Sequence, residues 1–297
     1  MQFRIWLALA ISAIGWGTGG VATRAVLNTG VEPFGMLTIR GLLASILIIL
    51  VLASKTEPLD RAFRSLRAGG VLGVTNLVAP FALYTFAYRY ASAGFVSVII
   101  ALVPIATAGL AHLTLENEPL RAAKVVGLSI AFSGVTLLLV SGDSGLAIGG
   151  RPAIAGSLAV CGVLSIAFSN VFAKRRAATY DTFGLLATQF VVGSALLAVI
   201  ALIAEGMPKA ISLWSWSLIA YLAVVSTVVP YFLYYWLLRH VSSTRASTIG
   251  YLVPVVSLST GVVLLDEKLE LGIVAGGVII LIGVVLAHRA EAAVPIG

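Results

Sequence analysis

The sequence predicts an all-α polytopic membrane protein with ten transmembrane helices arranged as two inverted five-helix repeats. Three observations carry this expectation: a composition that leaves little wettable surface, ten apolar stretches of membrane-spanning length, and an internal repeat that pairs the first five with the last five. Of the 297 residues, 60% are hydrophobic and only 10% are charged, whereas a soluble domain carries roughly 25% charged residues. The net charge of +7 does not point to nucleic acid, because the basic residues stand singly or in short clusters between apolar runs. One cysteine, Cys161, sits in an apolar run. A single thiol excludes an intramolecular disulfide and a cysteine-built zinc site. No metal or other cofactor is expected.

A helix needs about 20 mostly apolar residues to cross the hydrocarbon core. The qualifying segments are 5–26, 34–53, 68–88, 93–113, 121–141, 153–173, 181–203, 214–237, 246–265 and 271–288. Arg4 ahead of the first run resembles a signal peptide, but the apolarity continues past Gly20 without a small-residue cleavage site, so an uncleaved span is expected. With the N-terminus in the cytoplasm, inside segments hold 13 Lys and Arg and outside loops 5, with Arg40 set aside within a span. The positive-inside rule then predicts both termini in the cytoplasm of a plasma (bacterial inner) membrane protein. The expected partners are lipid and a small-molecule substrate, with no nucleic acid, the chain acting as a monomer or weak homodimer.

Residues 76–104 slide onto 226–254 without a gap and match at 11 of 29 positions, among them Pro80/Pro230, Tyr84/Tyr234, Ser97/Ser247 and Pro104/Pro254. After a one-residue gap, Glu118 pairs with Glu267, Gly127 with Gly276 and Gly134 with Gly283. The chain therefore divides into residues 1–145 and 146–297, five spans each. Five is odd, so the second half enters the membrane inverted. That arrangement is the signature of secondary transporters, whose site lies at the repeat interface near the bilayer midplane.

Candidate site residues follow span by span. Span one offers Trp16 and Thr18 among Gly15, Gly17, Gly19 and Gly20. Arg40 is the one strong charge deep in a span, about 9 Å from the outer end of span two by helical rise. It either snorkels to that interface or serves a gating, structural or anion-attracting role at the outer mouth. In span three, Asn76, Pro80, Tyr84 and Tyr88 recur every four residues and share one helical face. Pro80 leaves the carbonyl of Asn76 without its helical donor, and in a membrane that carbonyl needs protein or cavity water. Ser226, Pro230 and Tyr234 repeat the face in span eight. Spans four and nine offer Ser97, Ala101 and Pro104 against Ser247, Tyr251 and Pro254, with the Ala101/Tyr251 pair free of repeat symmetry and so suited to substrate choice. In span six, Ser169 and Asn170 fall opposite Gly19 and Gly20, and the buried amide is expected to face the interior. Glycines seven apart in spans five and ten predict close helix packing.

Trp16–Gly17, Arg40, the repeated Pro-Tyr spans and the acidic turns Glu116–Glu118 and Asp266–Glu267 ahead of Gly-spaced helices resemble the EamA-type transporters of the drug/metabolite transporter superfamily. The resemblance covers essentially the whole chain. It implies two five-span repeats, a central cavity and export of small metabolites, often amino acids or toxic analogues. Two positions depart from the internal symmetry: Ile166 stands opposite Trp16, and Phe190 opposite Arg40.

No HExxH, G-x-S-x-G or paired intramembrane carboxylates appear, which argues against an enzyme. A receptor would not require two inverted halves. All acidic residues lie in loops or at span ends, so no proton carrier nominates itself. The expected function is export of a small neutral or zwitterionic metabolite, most plausibly an amino acid and possibly aromatic, by alternating access. Broad drug or metabolite efflux and metabolite uptake are the alternatives.

Overall fold

The computed structural model describes residues 2–53, 65–114, 122–146, 148–176, 182–206, 210–240 and 249–292. All regular structure among them is helical. Ten spans follow in order: α1 (Gln2–Asn28), α2 (Pro33–Ala53), α3 (Leu66–Ala87), α4 (Ala93–Thr114), α5 (Ala122–Val140), α6 (Pro152–Arg176), α7 (Thr182–Ala204), α8 (Leu213–His240), α9 (Ile249–Leu265) and α10 (Leu271–Ala292). Seven helices are long and apolar enough to cross a membrane, and shorter apolar stretches lie in α5, α9 and α10. Large apolar side chains such as Ile46, Leu50, Leu202, Ile203, Val263 and Leu264 are exposed, as a lipid-facing perimeter requires.

The halves are repeats in sequence but not separate lobes in space. Helix α1 packs mainly on α8 and α9, and its counterpart α6 packs on α3 and α4. Likewise α3 meets α7 as α8 meets α2, while α2·α7, α4·α9 and α5·α10 are pairs of equivalents. Exchanging the halves reproduces this contact pattern, the property of an in-plane pseudo-twofold axis. The α5·α10 crossing shows why glycine is needed there. A Cβ on Gly134 would lie 2.9 Å from the carbonyl oxygen of Gly276, and one on Gly283 would lie 2.6 Å from that of Gly127. Real Cβ atoms do not approach so closely, so the expected small-residue packing is present.

Turns following α3, α5 and α9 are hydrogen-bonded to one another. Ser92 N–H donates to Ser144 O (2.8 Å), Arg151 N–H to Tyr90 O (2.8 Å) and Lys268 N–H to Gly145 O (3.0 Å). After α1, Thr29 Oγ1 lies 2.9 Å from Ser215 Oγ in the first turn of α8. Acidic side chains close these helix ends. Glu205 accepts from the N–H groups of Phe34 and Gly35 at 2.8 Å each, at the start of α2. Glu267 accepts from Ala93 N–H (2.8 Å) and Gly94 N–H (3.4 Å) at the start of α4, and pairs with Arg24 at 2.5 Å. Each carboxylate meets donors that the first helical turn leaves orphaned, and it sits at the positive end of the helix dipole.

The candidate central site

Both Pro-Tyr helices change winding immediately before the proline. In α3 the backbone is π-helical over Gly73–Val78, and Ala79 N–H reaches Val74 O, five residues back. In α8 it is π-helical over Val224–Val228, and Val229 N–H reaches Val224 O. This refines the expectation for the proline. The one-residue slip leaves the carbonyl of Thr75 without a helical donor as well, because Ala79 has passed it by and Pro80 has no N–H to offer. Ser165 of α6 supplies the missing donor, its hydroxyl 2.6 Å from Thr75 O. At the equivalent crossing, Gly15 of α1 stands where Ser165 would be, and the backbone oxygen of Val225 lies 2.4 Å from a Cβ built there.

These bulges aim aromatic side chains between the halves. Trp16 meets Tyr231 edge-on at 6.0 Å and Tyr234 at 5.7 Å, and Tyr231 meets Phe190 edge-on at 5.4 Å. Tyr84 lies within electrostatic reach of Tyr88 and Tyr231, and Tyr231 within reach of Arg40 and Tyr234. Tyr84 packs on Gly162 of α6, while Tyr88 packs on Gly20 of α1. The Tyr84 hydroxyl is buried with no hydrogen-bond partner among the described residues.

Arg40 sits in this belt and does not snorkel. Its side chain is buried (8% exposed). Nε donates to Thr227 Oγ1 at 3.0 Å, and the guanidinium lies over the Phe81 ring, 4.4 Å from its centroid. The phenols of Tyr231 and Tyr88 are its electrostatic neighbours. Inward placement holds because α2 packs between α7 and α8, which turn this helix face toward the interior. Among the described residues no carboxylate pairs with Arg40, and its Nη1 and Nη2 donate to none of them.

Other candidates serve helix contacts. Thr18 Oγ1 bonds Ile14 O (2.7 Å) and Tyr221 Oη (2.6 Å). Asn76 Nδ2 lies 3.5 Å from Gln189 Oε1, a weak bond into α7. Ser97 donates to Gly94 O of its own helix at 2.7 Å. Ser169 donates to Thr75 Oγ1 at 2.7 Å, Ser226 is buried against Gly19, and Pro230 against Gly15. Asn170 was expected to face the interior; instead its side chain is exposed and donates to Thr107 Oγ1 at 3.2 Å, because α6 crosses α4 there. Ala101 lies at the break between the two parts of α4, Ala93–Ile100 and Val103–Thr114, just ahead of Pro104. Pro254, the repeat partner of Pro104, is buried within an unbroken α9. Ser247 and the side chain of Tyr251 lie outside the described residues.

Four contributors escaped the sequence reading: Phe81, Tyr231, Thr227 and the inward face of Phe190. A signal for two of them was present. Phe81 and Tyr231 both directly follow the repeated prolines and are themselves repeat partners. An i, i+4 reading of the face passed over them, because the π-turn rotates the following residues relative to a regular helix.

Ten apolar helices in two interlocked inverted repeats, closing on aromatic side chains and on Arg40, the one buried cation among the described residues, have the build of a membrane transporter. The family model of EamA-like transporters matches twice, over residues 4–140 and 153–289, and the chain belongs to that family. It is similar to the uncharacterized transporter YoaV of Bacillus subtilis, at 24% identity over 95% of each chain. An uncharacterized transporter of Archaeoglobus fulgidus is 28% identical, covering 96% of this chain and 98% of its own. The uncharacterized inner membrane transporter YedA of Escherichia coli is 28% identical, over 91% of this chain and 87% of its own. One solved crystal structure superposes with a TM-score of 0.65 over 96% of this chain and 98% of that one; at 18% identity this speaks to the fold alone.

Proposed function

We propose that this transporter exports a small amphipathic metabolite, an amino acid in the first instance, across the plasma (bacterial inner) membrane by alternating access. The observation that carries the reading is the pair of proline-ended π-segments, Gly73–Val78 and Val224–Val228, at equivalent places in opposed helices. Such segments interrupt the regular helical ladder and are frequent at functional sites. Two of them, inverted about a shared aromatic belt, give each half a place to bend. Exchange of the two halves' shapes then exposes the belt to one side and afterwards to the other. Aromatic edges and faces suit a solute with an apolar side chain. Cytoplasmic termini follow from the excess of Lys and Arg in the turns after even-numbered spans. A relative named as an inner membrane transporter supports that membrane.

The test is counterflow in proteoliposomes with a panel of amino acids, with and without a pH gradient. Accumulation of labelled amino acid against its own preload is expected. Flux of unrelated drugs with none of amino acids would instead favour broad efflux. Cysteines introduced at Arg61 and Arg151 should label from opposite sides of sealed vesicles, and labelling from the same side would overturn the orientation.

A further inference from the structure

We infer that Arg40 is the seat of an anionic group on the transported molecule, so that the substrate must carry a carboxylate. The inference rests on the central-site reading above and narrows its substrate. A cation buried without a counter-ion is costly, at membrane depth above all. Arg40 is 8% exposed, yet no carboxylate among the described residues pairs with it. The described acids that make contacts lie at helix ends, where Glu205 and Glu267 are already engaged by backbone N–H groups and Arg24.

What holds the guanidinium also orients it. Thr227 takes the Nε–H and Phe81 takes one face. The edge formed by Nη1 and Nη2 is left, and that is the edge whose paired donors match a carboxylate in a bidentate contact. Tyr88 and Tyr231 are its electrostatic neighbours, and each phenol is a donor for a carboxylate oxygen.

Repeat symmetry adds an independent argument. The counterparts of Arg40 and Thr227 in the other half are Phe190 and Leu77, both fully buried in one apolar cluster. The belt thus holds a cation on one side of the pseudo-axis and a phenyl ring on the other. A ligand with one anionic end and an apolar remainder fits this polarity. A second anionic charge would find no second cation among the described residues of the belt, which favours a monocarboxylate over a phosphate ester.

The test measures ligand-induced thermal stabilisation of the detergent-purified protein. L-phenylalanine, L-leucine and 3-phenylpropionate are compared with L-phenylalaninamide, L-leucinamide and phenethylamine, which lack the carboxylate. The carboxylates should raise the melting temperature, and the other compounds should need at least about tenfold higher concentration for an equal shift. Arg40→Gln should abolish this preference and leave the ligand-free melting temperature unchanged or raised, since an uncompensated charge has gone. Arg40→Lys should retain part of the preference, having the charge without the planar fork.

Equal stabilisation by acids and amides, or by no carboxylate at all, would overturn the assignment. So would a preference that survives Arg40→Gln, or a lowered ligand-free melting temperature in that variant, which would make Arg40 a structural support. Should Arg40→Gln not fold, an Arg40→Lys protein with undiminished preference would decide against the inference equally. Selective carboxylate binding without counterflow would sink the amino-acid export reading and leave this assignment standing. Counterflow of amines or amides would do the reverse.

Discussion

The two places where a Pro-Tyr helix crosses its neighbour from the other half share a sequence pattern and are held differently. Where α3 crosses α6, hydroxyls do the holding: Ser165 bonds Thr75 O at 2.6 Å and Ser169 bonds Thr75 Oγ1 at 2.7 Å. Where α8 crosses α1, glycine takes both places. A Cβ on Gly15 would meet Val225 O at 2.4 Å, and one on Gly19 would meet Ser226 Oγ at 2.1 Å. One crossing is bonded through the Thr75 carbonyl and hydroxyl; in the other the backbones meet at glycine, with one hydrogen bond nearby, Thr18 Oγ1 to Tyr221 Oη at 2.6 Å, and Trp16 beside it. The lesson is that inverted repeats can share an outline and still be held by different contacts.

The largest expected effect comes from filling the glycine crossing. Gly15→Ala places a methyl against backbone that cannot give way, and should cost about 2 kcal/mol, read as a lower melting temperature in detergent. Little or no loss would show that the α1/α8 crossing does not require glycine at position 15. Next, Trp16→Ile writes the second repeat's residue into the first. It removes both aromatic contacts with Tyr231 and Tyr234, so transport should fall about tenfold. The protein should remain folded, and unchanged flux in vesicles would remove Trp16 from the path.

Ser165→Ala takes the donor from Thr75 O and should cost about 1 kcal/mol. Because Ser165 bonds backbone and does not face the aromatic belt, this variant should lower stability more than it lowers flux. The smallest effect belongs to Ser97→Ala, whose hydroxyl bonds its own helix, with a change of a few tenths of a kcal/mol expected. A large transport defect there would return Ser97 to the site.

The fold was legible because its causes are local or repetitive. Span lengths follow from bilayer thickness, and the ten expected segments coincide with the ten observed helices to within a few residues. The glycine pairs 127/276 and 134/283 were legible for the same reason, since spacing alone marks a face that admits a backbone. The site was legible in part. Trp16, Tyr84, Tyr88 and Tyr234 do come together with Arg40, but Ser97, Ser169 and Thr18 satisfy helix backbones or neighbours. A hydroxyl reads the same in sequence whether it faces a solute or its own helix's carbonyl. Phe81 and Tyr231 escaped because a π-turn is a matter of one shifted hydrogen bond, which no spacing rule announces.

By itself the sequence determined that this chain lies in a membrane, that it is written twice in opposite senses, and that its charges keep to the ends of spans with one exception. Hydrophobicity, span length and self-similarity suffice for these, since each is a property of residues taken in order. The tertiary structure alone decided what the exception does. Whether an arginine six residues into a helix reaches toward water or turns inward depends on which neighbours cover that face, and here Thr227 and Phe81 hold Arg40 within the belt. Phe81 comes from the next helix, α3, but Thr227 belongs to α8, far along the chain and brought beside α2 only by the interlocking of the two halves.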